Sequence, residues 1–423
     1  FRRVLFRSDA AFIGQLGPEA LAAATYVGAL FFIAIALTNG LATGVTAQIA
    51  QAIGREDPDR ADAVASGGMG LGVLLGAGLL AVGLTFGERM IPVLGAEGEA
   101  ARLAWEYFRP MCVAMPMFFL STSIRAVLNG EGDARTPMAI MLVATGINLA
   151  LDPVFIFVLG FGIRGAAYAT ILAQVFALSS FAYVALVRGR MLSRFRAPEI
   201  VPSRAVLGPV IAIGLPAAAG HLVMAAGMTL TNRVLASFDQ LTVAGYGAGN
   251  KVDMIVALPI LGLSSAAVTV VGMFHGAGRH DLVRSTSLYT YRWAVIFAAA
   301  LGAIAFLASG SVVRVFTDDP VAIRVGTEYI CYAVFAYPLM AIGMTSGRIL
   351  QGLGHGVPSL VITSVRVLAV GVGLAYVGVY LFDAPVEWVW ISFIVGALVA
   401  DLLALCWVRR FLWVRTPAVA GGG

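Results

Sequence analysis

Long apolar segments recur along almost the whole chain of 423 residues, and they constrain the fold more than any other feature. A helix needs about 20 apolar residues to cross the hydrocarbon core of a bilayer. The chain is 60% hydrophobic and 12% charged, whereas an average soluble domain is about 45–50% apolar and 25% charged. This excess is too large for one buried core, which excludes a soluble enzyme, a nucleic-acid-binding protein and a disordered chain.

The apolar segments lack the alternation of polar and apolar residues that marks membrane-spanning strands, so they predict helices rather than a barrel. We expect an all-α polytopic membrane protein with twelve transmembrane helices, of which the first is truncated to a short segment at 9–14. The other helices are expected near 19–53, 60–86, 101–128, 135–160, 163–188, 205–237, 240–275, 282–310, 321–350, 357–382 and 387–411. Residues 1–8, FRRVLFRS, match the translation of a common sequencing adapter, so authentic sequence is expected from Asp9.

The two halves of the chain repeat each other at a nearly constant shift in numbering. AVLNGEGDARTPMAI at 126–140 matches RILQGLGHGVPSLVI at 348–362, and GREDPDR at 54–60 matches GRHDLVR at 278–284. We call the first of these offsets, which takes Asn129 to Gln351, the repeat shift. A repeat of six helices keeps its orientation, so the lobes should be related by an axis along the membrane normal. The predicted pseudo-symmetric lobes are 9–188 and 205–411, joined by a loop at 189–204 and followed by a tail at 412–423.

Arginines are concentrated in one set of connections between the predicted helices. The loop at 188–204 alone holds five of them. Because cytoplasmic loops carry the excess of Lys and Arg, this loop and both termini are predicted to be cytoplasmic.

Three segments together resemble the MATE (multidrug and toxic compound extrusion) transporters, and most closely the DinF-like prokaryotic branch. They are DAAFIGQLGPEALAAA, RAVLNGEGDARTPM and NLALDPVFIFVLGFGIRGAAYAT. The resemblance covers nearly all of residues 9–411. It implies two six-helix lobes in a prokaryotic inner membrane and export of cationic or amphipathic drugs or toxins in exchange for inward H⁺ or Na⁺. No nucleic-acid partner and no cofactor besides the coupling ion are expected, and the protein is expected to be a monomer in lipid.

The resemblance maps the cation-coupling residues of the family onto Asp9, Asn148, Asp152, Thr170 and Tyr107. The spacing of the residues agrees with this assignment. Asn148 and Asp152 are four apart and share one helix face, while Asp152 and Thr170 lie roughly 12 Å from the outer ends of their helices. Asp9, Asn148, Asp152 and Thr170 offer oxygen ligands suited to Na⁺, and two close carboxylates can instead share a proton. Both coupling ions therefore stay open.

Other interpretations of these residues are structural. Arg109 or Arg164 could neutralise the aspartates, and Thr170 could bond back to its own helix. In the second lobe, Asp253 is expected to pair across helices or to be solvated, and Asp401 to pack within the lobe. At the repeat shift Asp152 falls on Leu374, so ion coupling is predicted in the first lobe.

The rival functions are a membrane-embedded enzyme, a lipid-linked-precursor flippase of the same superfamily, and a passive channel. The sequence has none of the metal, acid-pair or nucleophile motifs that an enzyme would need, so the protein is not expected to be an enzyme. A flippase usually carries a more cationic cavity than the few intramembrane arginines here would provide. The repeat of two lobes argues against a passive channel. A drug exporter is thus the first prediction and a flippase the alternative.

Overall fold

A computed structural model describes residues 12–186 and 203–413 of the chain. Within these ranges the chain is almost entirely helical and contains no strand. Eleven helices in this part of the chain are long and apolar enough to cross a membrane. We number them α1 (Pro18–Gly54), α2 (Pro58–Val93), α3 (Gly98–Gly130), α4 (Arg135–Val158), α5 (Ile163–Leu186), α6 (Arg204–Ala236), α7 (Gln240–Gly276), α8 (His280–Leu307), α9 (Pro320–Gly352), α10 (Gly356–Phe382) and α11 (Glu387–Trp413).

These helices confirm the predicted all-α membrane fold. Every helix predicted after the truncated first segment is present, with ends that differ from the prediction by three residues or fewer, except that α2 ends at Val93, seven residues beyond the predicted end. A 3₁₀ turn at Gly14–Leu16 precedes α1, and a one-turn helix at Ser309–Val313 follows α8. Three helices begin at an aspartate whose carboxylate accepts backbone N–H groups of the first turn, which is why the polar residues between apolar segments mark the helix starts. The three aspartates are Asp57, Asp239 and Asp319.

The repeat is visible in the loops that follow four of the helices. In each loop a backbone N–H reaches back to the carbonyl five residues earlier, and the residue before that N–H is left-handed, which is a Schellman cap. The four left-handed residues are Glu56, Gly132, Gly278 and Gly354. The repeat shift takes Glu56 to Gly278 and Gly132 to Gly354. The first pair corrects the sequence match of GREDPDR to GRHDLVR, because the cap places Arg279 opposite Asp57 and not opposite Arg55.

Glycines let α2 lie directly against α3. A Cβ atom on Gly72 would lie 2.5 Å from Ser123 Oγ, and one on Gly76 would lie 2.6 Å from Pro116 Cα. Such close approach of backbones is the main way in which helices gain packing energy when lipid surrounds them. Ser123 uses the approach to donate a hydrogen bond of 3.1 Å to the carbonyl of Gly68.

Two of the long helices contain a π-helical segment. In α4 it covers Val154–Val158, directly after Asp152 and Pro153, and in α10 it covers Val365–Val372. A proline has no N–H to donate, so Pro153 already interrupts the regular α-helical ladder at this point. π-helical turns are often found at functional sites. Asp152 lies just before the segment of α4 and Arg366 lies within that of α10, so both are candidates for a functional role.

The chain divides into two compact units. The first comprises residues 1–53 and 57–214, and the second comprises 54–56 and 215–423. The core of the first unit contains Phe119, Phe181 and Ile49, and the core of the second contains Trp390 and Ile260; all are less than 2% exposed. Each unit therefore has its own packed interior.

The left-handed glycines give a prediction about stability. We expect Gly278→Ala to lower the free energy of unfolding by about 1 kcal/mol, because a residue with a Cβ is strained at positive φ. Gly278 has φ +69° and open space around the position of a Cβ, so no steric clash contributes. Thermal unfolding of the purified protein in detergent measures the effect as a lower midpoint.

Gly262→Ala is the matched control. Gly262 lies inside α7, the helix that Gly278 follows, and a Cβ there would also meet open space. There the substitution should be neutral or stabilising by up to about 1 kcal/mol, as expected for a helix interior. Equal midpoints for the two variants would contradict the role given to the left-handed cap.

Candidate functional site

In the first unit, α4 and α5 bring three of the predicted coupling residues together. The Nδ2 atom of Asn148 donates to Asp152 Oδ1 and to Thr170 Oγ1, both at 3.4 Å. Asp152 is fully buried, while Asn148 and Thr170 are partly buried. Asn148 and Asp152 meet because they are one turn apart on α4, directly before the π-helical segment. The sequence assignment of these three residues to one cluster agrees with this geometry.

The cluster is rich in oxygen atoms that can accept a cation or a proton. The Thr170 hydroxyl donates to the carbonyl of Ala166 at 3.0 Å, which is the bond back to its own helix that was considered as a structural role for this residue. This bond uses its only proton, so the lone pairs of the hydroxyl oxygen are left for the site. Together with the carboxylate of Asp152, they form a set of hard oxygen ligands that fits Na⁺, while the NH₂ group of Asn148 donates to both residues. The same carboxylate can bind H⁺.

The remaining predicted residues have different positions. Asp9 lies outside the described residues, so its role stays a prediction. Tyr107 packs against an apolar cluster that includes Ile13 and Phe108. Arg164, one of the two arginines considered as a partner of the aspartates, instead forms an ion pair of 2.9 Å with Glu106.

The second unit contains a carboxylate site that the comparison of the two repeats missed. Asp253 on α7 accepts hydrogen bonds from the hydroxyls of Tyr329 and Tyr337 on α9, the latter at 2.8 Å. Asn250 donates to the same carboxylate at 3.4 Å. All three partners are neutral hydrogen-bond donors, so the carboxylate of Asp253 has no ion-pair partner among them.

Aromatic side chains surround this carboxylate. Tyr329 stacks edge-on against Tyr246 and Trp390, with ring centroids 5.1 Å and 5.0 Å apart. A small cavity of about 90 Å³ opens beside Asp253. Its walls are Tyr329, Tyr332, Ala333, Ala336, Tyr337, Met340, Trp390, Phe393 and Ile394. A carboxylate next to aromatic faces favours positively charged groups.

The sequence contained a signal for this arrangement. Tyr329 and Tyr337 are eight residues apart, so they share one face of a helix. The expectation that Asp253 pairs across helices agrees with the structure, although its partners are hydroxyls. Lys251 points elsewhere, with its Nζ atom 4.6 Å from the ring centroid of Phe316. Comparing the two halves at the repeat shift could not reveal this site, because Asp253 falls on Phe31, which is not acidic.

Comparison with known proteins places the chain in a family. The MatE family model matches residues 3–154 and 216–377, once in each compact unit. A curated "FAD transporter" of Shewanella oneidensis is 30% identical over 379 residues, which cover 88% of this chain and 83% of that protein. The "Probable multidrug resistance protein NorM" of Thermotoga maritima is 26% identical over 413 residues, 96% of this chain and 88% of that protein.

A solved structure shows the same architecture. It is described as the "outward-facing conformation of a multidrug resistance MATE family transporter of the MOP superfamily". The TM-score is 0.92 at 30% identity, and the match covers 97% of this chain and 92% of the other. From the family match, the relatives and the eleven apolar helices together, the chain belongs to the MatE family of prokaryotic multi-pass membrane transporters.

Proposed function

We propose that the protein is a secondary active multidrug exporter that exchanges amphipathic or cationic compounds for inward H⁺ or Na⁺ by alternating access. The observation that carries this proposal is the cluster of Asn148, Asp152 and Thr170 beside the π-helical segment of α4. The names of the relatives support the substrate class, since that of Thermotoga maritima is described as a probable multidrug resistance protein.

The buried carboxylate supplies what an antiporter requires. Uphill export needs the ion and the drug to favour opposite states of one two-state element. Asp152 is fully enclosed in an apolar helix pair, so binding of a cation or proton changes the cost of its burial by several kcal/mol. That difference is the free energy with which an ion can bias the conformation of α4. Asp9 is proposed to act with Asp152 as one unit.

The residues of the cluster fit either coupling ion. Na⁺ would be held by the oxygens of Asp9, Asn148, Asp152 and Thr170, whereas H⁺ needs only the two carboxylates. Efflux from liposomes under a Na⁺ gradient alone and under a pH gradient alone distinguishes the two ions. The same preparation detects lipid flipping or downhill leak, which a flippase or a channel would give.

A second candidate substrate class is a flavin dinucleotide. The relative of Shewanella oneidensis is described as an FAD transporter and is 30% identical to this chain. FAD combines a planar aromatic ring with a negatively charged pyrophosphate, and so differs from a cationic drug in charge. Competition by FAD against efflux of an ethidium-like cation separates the two classes, since a shared route predicts inhibition.

The coupling role of Asp152 gives a direct prediction. Asp152→Asn should abolish ion-driven efflux in liposomes while the protein still reaches the membrane folded. The substitution is nearly isosteric, so packing of α4 is kept, but the group can no longer bind a cation strongly or carry a proton. Efflux is measured as gradient-dependent loss of a fluorescent cation, and Asp9→Asn should behave in the same way.

Asp383→Asn is the matched control, because Asp383 is an exposed acid in the loop after α10. It should leave efflux unchanged. Adding a carboxylate at the repeat position, Leu374→Asp, should not restore transport to the Asp152 variant. Normal gradient-dependent efflux by Asp152→Asn would remove the first-unit coupling site from this proposal.

We also propose that the protein lies in a prokaryotic inner membrane with the 188–204 loop and both termini in the cytoplasm. A single cysteine at Ser203, in a chain whose three native cysteines have been replaced, should react in intact cells only with a membrane-permeant reagent. A single cysteine at Asp383 should react with an impermeant reagent as well, because that loop is predicted on the outer face. The reverse pattern would invert the orientation.

A further inference from the structure

Asp401 is an acidic residue that the proposed coupling site does not use. It lies near the middle of α11 and is 4% exposed. Within the described part of the chain, neither of its carboxylate oxygens has a hydrogen-bond partner. A buried carboxylate without partners is costly, so such a group normally binds water, a cation or a proton.

The nearest opposite charge belongs to Arg366, at the start of the π-helical segment of α10. Its guanidinium attracts Asp401 electrostatically, yet among the described residues no ion pair within 4.0 Å joins the two. Its hydrogen bond to the Sδ atom of Met224, at 3.6 Å, involves a weak acceptor. Two opposite charges therefore face each other across a gap.

Gly343 on α9 keeps this gap open. A Cβ atom on Gly343 would lie 2.7 Å from Asp401 Oδ1 and 3.8 Å from Arg366 Nη1. Because the two groups form no ion pair, Asp401 Oδ1 and Arg366 Nη1 are more than 4.0 Å apart. Their separation cannot exceed the sum of their distances from the Cβ position of Gly343. A water molecule that hydrogen-bonds both atoms needs a separation of about 4.5–5.6 Å, which lies within those limits.

The other polar groups near Asp401 are already engaged. The hydroxyl of Tyr291 on α8 interacts electrostatically with Asp401. Its hydrogen bond, however, is made with Ser346 Oγ, at 2.7 Å. Ser346 also donates to the carbonyl of Ile342 at 2.8 Å. The ionisable groups that act on Asp401 are therefore Arg366 from α10 and Tyr291 from α8, while α9 contributes Gly343 and Ser346, and α6 contributes Met224 against Arg366.

We propose that Arg366, Asp401 and Gly343 enclose a site for one water molecule, and that Asp401 takes up and releases a proton through this water. The water donates to the carboxylate and accepts from the guanidinium, which meets its need for at least two polar partners. With an ionised carboxylate the site is neutral, and proton uptake from water gives a carboxylic acid and a net charge of +1. Arg366 is partly exposed, whereas Asp401 is buried.

This site is not inherited from the repeat. At the repeat shift Asp401 falls on Ser179 and Arg366 falls on Ala144, neither of which is charged. It is thus a second proton-exchanging group, separate from Asp152 in the first unit. Proton binding by Asp401 in the purified protein does not depend on the proposed drug export.

Infrared difference spectroscopy of the purified full chain in lipid tests the proposal without any transport. A pH step from about 9 to about 5 should produce C=O bands of buried carboxylic acids, one of which belongs to Asp401. Asp401→Asn should lack that one band and keep those of other buried acids such as Asp152, and Asp383→Asn, which removes an exposed acid, should retain all of them. Identical spectra for the wild type and Asp401→Asn would overturn proton exchange at Asp401.

The role of the water is tested at Gly343. Gly343→Ala places a methyl group in the gap, so transfer to D₂O should shift the Asp401 band about tenfold more slowly than in the wild type. Gly262→Ala, in open space on α7, should leave the exchange rate unchanged. A retained thermal unfolding midpoint establishes that the variant is folded. Exchange as fast as in the wild type would overturn the water-filled gap.

Discussion

A carboxylate enclosed among apolar helices has to be compensated, because its removal from water costs several kcal/mol. The two units meet this constraint in three different ways. Asp152 accepts a hydrogen bond from an amide, Asp253 accepts from two tyrosine hydroxyls and an amide, and Asp401 faces a guanidinium across a gap. Because each compensation differs, each carboxylate has its own chemistry, and the arrangement of the surrounding helices is what keeps the three environments distinct.

Close helix packing is what allows such sites to exist. Where Gly72 and Gly76 face α3, a Cβ atom would collide with the neighbouring helix, so the backbones meet with little space between them. At Gly343 a Cβ atom would likewise collide, here with Asp401 Oδ1, and the missing side chain is proposed to leave room for a water molecule between Asp401 and Arg366.

The repeat preserves the backbone and not the chemistry. The left-handed caps recur at the repeat shift, from Glu56 to Gly278 and from Gly132 to Gly354, because both halves need the same turns between their helices. The charged groups do not recur. Asp152 matches Leu374, and Asp401 matches Ser179. The two units therefore share an architecture but carry different ionisable sites.

The sequence by itself determined the helices and one cluster of polar residues. Apolar length, capping aspartates and loop glycines act over short distances along the chain, so they fixed the eleven helices and their ends to within a few residues. The pairing of Asn148 with Asp152 follows from a spacing of one turn. Only the tertiary structure decided which residues from distant helices meet. Tyr337 and Asp253 are 84 residues apart, and Arg366 and Asp401 are 35 apart. Their proximity depends on how α7, α9, α10 and α11 pack, and no local pattern in the sequence encodes it.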